Sequence, residues 1–134
     1  MRVLLVSDSN TGINFFPLLE AILRKKVAGI DVRQVFVPFP EDIPAAASRE
    51  QKDAALVFVF VLFEEMDFKI EALMNKLMDL EIKSKKRIIK AVEEDWVGGM
   101  DEIRLEQEKN NLAEKWAEFI LDSLFRPEKF AAKK

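Results

Sequence analysis

The sequence contains no histidine, no cysteine and no tyrosine. Without cysteine there is no disulfide framework, no thiolate nucleophile and no sulfur ligand, and the expected compartment is the cytoplasm. Without histidine the usual neutral-pH proton shuttle and the commonest metal ligand are both gone. Zinc sites built on nitrogen or sulfur, and nucleophile–histidine pairs, are excluded. Any general acid or base must be Asp, Glu, Lys, bound water or the substrate itself.

Long apolar runs are missing too. The longest, Ala54 to Phe63, has the length of a strand, far short of the roughly 18 to 20 residues a helix needs to cross a bilayer. The chain opens at once on strand-like residues, so no signal peptide is expected. There is no positive excess either: 21 Lys and Arg stand against 24 Asp and Glu, a net charge of -3. Binding a phosphate backbone needs a clustered basic excess, so neither nucleic acid nor a membrane is an expected partner. The single basic run, Lys83 to Arg87, reads as a solvated helix end and strand entry.

What remains is enough for one domain over residues 1–134 with one core. Arg2 to Ser7 is apolar without alternation, as in a strand buried on both faces. Ser7 to Gly12 is turn chemistry. Asn14 can cap a helix to about Val27, with Pro17 tolerated in its first turn. Ile30 to Pro38 reads as a second strand, Ala45 to Lys52 as a short helix and Ala54 to Leu62 as the central strand. Met66 to Lys83 carries a helical stripe, Ile70, Leu73, Met74, Leu77 and Leu80. Arg87 to Val92 predicts a fourth strand, and Asp101 a cap for a helix to about Phe125. Strand and helix alternate four times. Right-handed crossovers then make a three-layer α/β fold with a four-stranded parallel sheet.

In such a sheet ligands bind beyond the carboxyl ends of the strands. Four loops lie there. Ser7-Asp8-Ser9-Asn10-Thr11-Gly12 offers hydroxyls, an amide and backbone N–H groups to an anion or a polyol, and resembles superficially the phosphate loop of flavodoxins. It is equally an ordinary strand–helix turn. Asp42-Ile43-Pro44 could contribute a carboxylate, or serve only to cap the helix from Ala45. Glu93-Glu94-Asp95-Trp96 sets three acids beside an aromatic. Close carboxylates raise one another's pKa and suit proton transfer. They could also hold a divalent cation such as Mg²⁺ through oxygen ligands, or form a solvated acidic edge. Phe63 could cover a planar ring, or pack down onto the sheet.

The same loops carry a resemblance. Val37-Pro38 followed by Asp42-Ile43-Pro44-Ala45, Ile88-Ile89 with Glu94-Asp95, the positions Ala113, Glu114, Ala117 and Glu118 of the last helix, and the tail Leu124-Phe125-Arg126-Pro127-Glu128 occur in the order seen in archaeal-type riboflavin synthases. Those enzymes belong to the lumazine synthase superfamily, and the likeness runs with gaps over nearly the whole chain. It implies a lumazine synthase-like, flavodoxin-like topology and a homopentamer with sites between neighbours. It implies dismutation of two 6,7-dimethyl-8-ribityllumazine molecules to riboflavin and a pyrimidinedione, with no organic cofactor. On this resemblance Ser7, Asp8, Ser9, Asn10, Asp42, Ile43 and Pro44 contact the ribityl chain and ring. Glu94 or Asp95 moves the proton, and Trp96 or Phe63 stacks on the ring.

The sequence also departs from the family. Asn10 and Gly12 stand where the first loop has an aromatic and an Arg, and Glu93 where a His precedes the acidic pair. Val61-Leu62-Phe63-Glu64 replaces Gly-Met-Pro-Gly, and Glu71-Ala72 a helical His-Glu. A non-catalytic paralogue that binds a lumazine or flavin, and a flavodoxin-like electron carrier, are the alternatives.

Overall fold

The computed structural model describes residues 1–130. The elements are β1 (Arg2–Asp8), α1 (Phe16–Lys26), β2 (Asp31–Val37), α2 (Ile43–Glu50), β3 (Ala54–Phe63), α3 (Phe68–Ser84), β4 (Arg87–Glu94) and α4 (Glu102–Phe125). A 3₁₀ turn over Pro40–Asp42 leads into α2, and another over Pro127–Phe130 follows α4. The strands form one sheet in the order β2-β1-β3-β4, and every pairing is parallel.

Successive side chains of a strand point to opposite faces, so the central strands divide their apolar residues between two cores. Val3 and Leu5 of β1 join Phe58 and Phe60 of β3 against α1 and α4. Leu4 and Val6 join Val57, Val59 and Val61 against α2 and α3. Both faces of β1 and β3 are thus covered, which explains their unbroken apolar sequence. The α/β three-layer architecture expected from the sequence is the one observed.

Aromatic rings fill the first core. Phe15 meets Phe60 edge-on with ring centroids 4.8 Å apart, and Phe58 at 6.3 Å. Trp116 of α4 tilts over Phe58 at 5.1 Å and meets Phe119 at 5.5 Å. Trp116 is half-buried rather than fully enclosed, and its indole N–H has no acceptor.

Several boundaries differ from the sequence reading. Helix α2 starts at Ile43, two residues before Ala45, because the 3₁₀ turn runs straight into it. Pro44 therefore falls in the first helical turn, where its missing N–H is harmless. Asp42 makes no capping hydrogen bond: its backbone is already helical (φ -84°, ψ -11°), and a capping carboxylate needs an extended backbone. Asn14 accepts from the Phe16 amide at 3.1 Å but lies one residue before the cap position, Phe15. Strand β4 runs two residues past Val92, because Glu93 and Glu94 still pair with Leu62 and Phe63. Asp101 does cap α4, accepting from the Arg104 amide at 2.7 Å. No helix among the described residues is long and apolar enough to cross a membrane.

Candidate functional site

From β1 the chain crosses to β2 on one side, and from β2 it returns over β1 to β3 on the other. The direction of winding therefore reverses between β1 and β3. At such a reversal the outgoing connections diverge and leave a crevice beyond the strand ends. A cavity of about 420 Å³ lies there, lined among others by Asp8, Asn10, Leu62, Phe63 and Asp95. Ligand pockets commonly span about 300 to 1,000 Å³.

The first loop is rigidly tied. Asp8, only 4 % exposed, accepts through Oδ1 from the Thr11 hydroxyl and through Oδ2 from the Asn10 amide at 3.2 Å. The Ser9 amide donates to the Val37 carbonyl at 2.8 Å, and the Asn10 side-chain amide donates to the Pro38 carbonyl at 3.1 Å. The loop is thereby stitched to the end of β2. Thr11 Oγ1 accepts from the Leu62 amide at 3.5 Å, joining it to β3 as well.

The other wall comes from β3, β4 and α3. The Asp95 amide donates to the Phe63 carbonyl at 2.7 Å, and Asp95 Oδ1 accepts from the Val97 amide at 2.8 Å. Asp67 caps α3, its Oδ1 accepting from the Lys69 and Ile70 amides at 3.0 Å each. Lys69 stands 3.9 Å from Glu41 across the mouth. The lining holds six carboxylates (Asp8, Glu41, Glu64, Glu65, Asp67 and Asp95) against this one ammonium. The cleft is therefore strongly negative, with Phe63, Leu62 and Ile70 as its apolar surface.

The structure brings together four of the residues named from sequence: Asp8, Asn10, Phe63 and Asp95. Ser7, Asp8 and Ser9 line a smaller hollow of about 200 Å³ beside them, but the Ser7 hydroxyl is turned inward and donates to the Phe60 carbonyl at 2.7 Å. Ile43 is fully buried in the core beneath α2. Asp42 is exposed and Pro44 half-buried, both outside the cleft lining. Glu94 is exposed and also outside it. Trp96 packs against the first core, with its N–H 3.4 Å from Glu93 Oε2. Among the described residues no group of three or more carboxylates is placed to hold a metal ion.

Glu41, Asp67 and Lys69 were not singled out in the sequence. For Asp67 and Lys69 the signal was the start of α3, a capping Asp with a Lys two residues on at the mouth of a carboxyl-end crevice; Glu41 lies in the 3₁₀ turn before α2. A larger hollow of about 770 Å³ lies at the carboxyl ends of α1 and α4, lined by Ile22, Lys25, Lys26, Glu114, Glu118 and Arg126. It gathers Glu114, Glu118 and Arg126 of the resemblance but none of the site residues expected from sequence, and the switch-point geometry favours the smaller cleft despite its size. No protein-family model matches this chain, and no curated protein matches it.

Proposed function

We propose that the carboxyl-end cleft binds a ribityl-substituted lumazine and that the chain is a divergent riboflavin synthase of the archaeal type. The observation that carries this reading is the convergence of Asp8, Asn10, Phe63 and Asp95 on one crevice at the reversal of strand order. Asp95 comes from a loop that carries the family resemblance, while Asn10 and Phe63 stand where the sequence departs from it.

The residues suit the reaction. The dismutation moves a four-carbon unit from one lumazine to a second, and the two products together contain every atom of the two substrates. It begins with loss of an acidic proton from a ring methyl, which a carboxylate can accept. Asp95 lines the cleft and has its carboxylate fixed by the Val97 amide, which makes it the better-placed base of the Glu94–Asp95 pair. Phe63 offers the ring a flat apolar contact, while Asp8 and Asn10 face ribityl hydroxyls. Holding two substrates in register supplies much of the remaining rate.

The seam between subunits completes the reading. Five of the eleven phenylalanines are exposed in the single chain: Phe36, Phe39, Phe68, Phe125 and Phe130. Phe39 and Phe68 flank cleft residues Pro40 and Asp67 in sequence. Apolar surface beside a binding crevice suits a neighbouring subunit, and a closed homopentamer is the assembly we propose. A non-catalytic lumazine binder is the second reading, favoured by Asn10, Gly12 and Glu93 at places where the family carries an aromatic, an Arg and a His. Incubating the protein with lumazine and following riboflavin emission separates the two: turnover supports the enzyme, and binding without turnover supports the paralogue.

A further inference from the structure

In a parallel sheet each helix starts at the carboxyl end of the strands and finishes at the amino end. The loop from Phe63 to Phe68, which leads into α3, therefore stands at one end of the molecule. The last turns of α1 and α4 stand at the other. The loop reads Phe63-Glu64-Glu65-Met66-Asp67-Phe68. Asp67 is engaged as the cap of α3. Glu64 and Glu65 are exposed and form no ion pair among the described residues. Met66 and Phe68 are exposed as well, Phe68 by 75 %. The loop is thus a projection that carries both negative charge and bare apolar side chains.

The opposite end has the complementary character. Two hollows adjoin there and share Lys26 and Arg126. One, of about 770 Å³, sets Lys25, Lys26 and Arg126 beside Ile22 and also takes in Glu114 and Glu118 of α4. The other, of about 840 Å³, is lined by Lys26, Val27, Ala28, Leu121, Phe125 and Arg126, with no acid among them. Arg126 is already paired with Asp122 at 2.9 Å. Lys25 and Lys26 are exposed and form no ion pair among the described residues. Phe125 is exposed beside them. Bare apolar side chains rimmed by charge mark a contact surface.

We propose that the Phe63–Phe68 loop of one copy of the chain docks in the hollow between the ends of α1 and α4 of the next. Met66 and Phe68 cover Val27 and Phe125, while Glu64 and Glu65 face Lys25 and Lys26. Apolar burial supplies the affinity, and opposite charge fixes which surfaces meet. The two surfaces differ, so each copy offers its loop to one neighbour and its hollow to another, a heterologous contact. Glu64 and Glu65 also line the carboxyl-end cleft, so the next copy brings Lys25 and Lys26 to the mouth of a strongly negative site. This rests on the proposal that the chain self-associates, and not on the identity of the ligand.

Charge reversal tests the contact. The full-length protein and three variants are compared by sedimentation velocity over a dilution series, each checked for folding by circular dichroism. Lys25→Glu/Lys26→Glu reverses the hollow, and Glu64→Lys/Glu65→Lys reverses the loop. Lys76→Glu/Lys83→Glu changes the net charge as much as the first, at exposed positions of α3 outside both surfaces. The first two variants should each need about tenfold higher concentration or more to associate, because like charges then face each other. The third should associate as the wild type does. An equimolar mixture of the first two should regain association, since each then meets opposite charge at both ends. Wild-type association of either reversed variant overturns the inference and leaves self-association standing. So does a mixture that stays apart, or an equal loss in Lys76→Glu/Lys83→Glu, which would be an effect of net charge. A monomeric wild type overturns the inference and the assembly together, and leaves the hollow to a partner of another sequence.

Discussion

The amide of Asp95 donates to the carbonyl of Phe63 over 2.7 Å. This bond carries the β3–β4 pairing one residue past the last paired strand residue, Glu94. An acid and an aromatic from different loops thus reach the cleft as one unit. Their spacing is set by the sheet and not by loop flexibility, which is what positioning a ring against a base requires.

Phe63 and Trp96 are both half-buried aromatics near the strand ends, but only Phe63 lines the cleft. Phe63→Ala should weaken lumazine binding by about 0.5 to 1.5 kcal/mol, a few-fold to about tenfold. Trp96→Ala should lower the melting temperature while changing affinity less. Fluorescence titrations and thermal melts on both variants check the contrast, and the reverse pattern would move the stacking surface to Trp96.

Phe58 lies at the centre of the first core, in contact with Phe15, Phe16 and Trp116. Phe58→Ala should cost about 3 to 5 kcal/mol in urea unfolding. Trp116→Ala should cost less in the isolated chain, since Trp116 is only half-buried and its N–H has no partner to lose. A larger loss at Trp116 than at Phe58, measured on the assembled protein, would show that a neighbouring subunit covers it.

The strands, helices and their order were legible because apolar runs and helical stripes are long and sharply bounded in this chain. Ala54 to Phe63 admits little but a strand buried on both faces. The site was legible only at strand ends and just past them: Asp8 and Phe63 end β1 and β3, and Asn10 and Asp95 follow β1 and β4 within two residues. Ser7 could have been excluded by its parity, for it lies on the same side of β1 as Val3 and Leu5, which face α1 and α4. Its inward hydroxyl, bonded to Phe60, is the outcome. Asp67 and Lys69 were hidden for the opposite reason: they belong to a helix start, and only the tertiary return of α3 over the crevice makes them part of it. Ile43 looked like a loop residue because Pro40 and Pro44 obscured the helix it begins.

Stability should fall on acidification through Glu81. Burial raises this carboxyl, but the hydrogen bond from Lys90, the Ile88 amide and the nearby cations outweigh it, so the net shift is downward. A carboxyl lowered in the native state adds stability above its unfolded pKa of about 4.3, and this is lost as pH falls through the lower native value. Glu81 joins α3 to β4, accepting from Ile88 N at 2.7 Å and Lys90 Nζ at 2.6 Å. Glu81→Gln should therefore flatten the decline in urea midpoint below about pH 4.5. Decline as steep as in the wild type would place the acid sensitivity elsewhere.

Light scattering across a dilution series should give five subunits, with lumazine binding lost as the ring dissociates. Phe68, 75 % exposed in the single chain, is the residue to change. Phe68→Asp should shift the assembly towards monomer while leaving the fold intact by circular dichroism. A monomeric wild type that still binds lumazine would remove the shared site, and a stable dimer would remove the pentamer.

The most direct measurement is a titration of 6,7-dimethyl-8-ribityllumazine into isotopically labelled protein, followed by the backbone amide resonances. A lumazine in the cleft should give saturable shifts grouped at Asp8 to Gly12, Leu62 to Ile70 and Asp95 to Val97, the loops around the β1–β3 crevice. Shifts confined to the hollow between α1 and α4, near Lys25, Lys26 and Arg126, or no saturable shift at all, would contradict it.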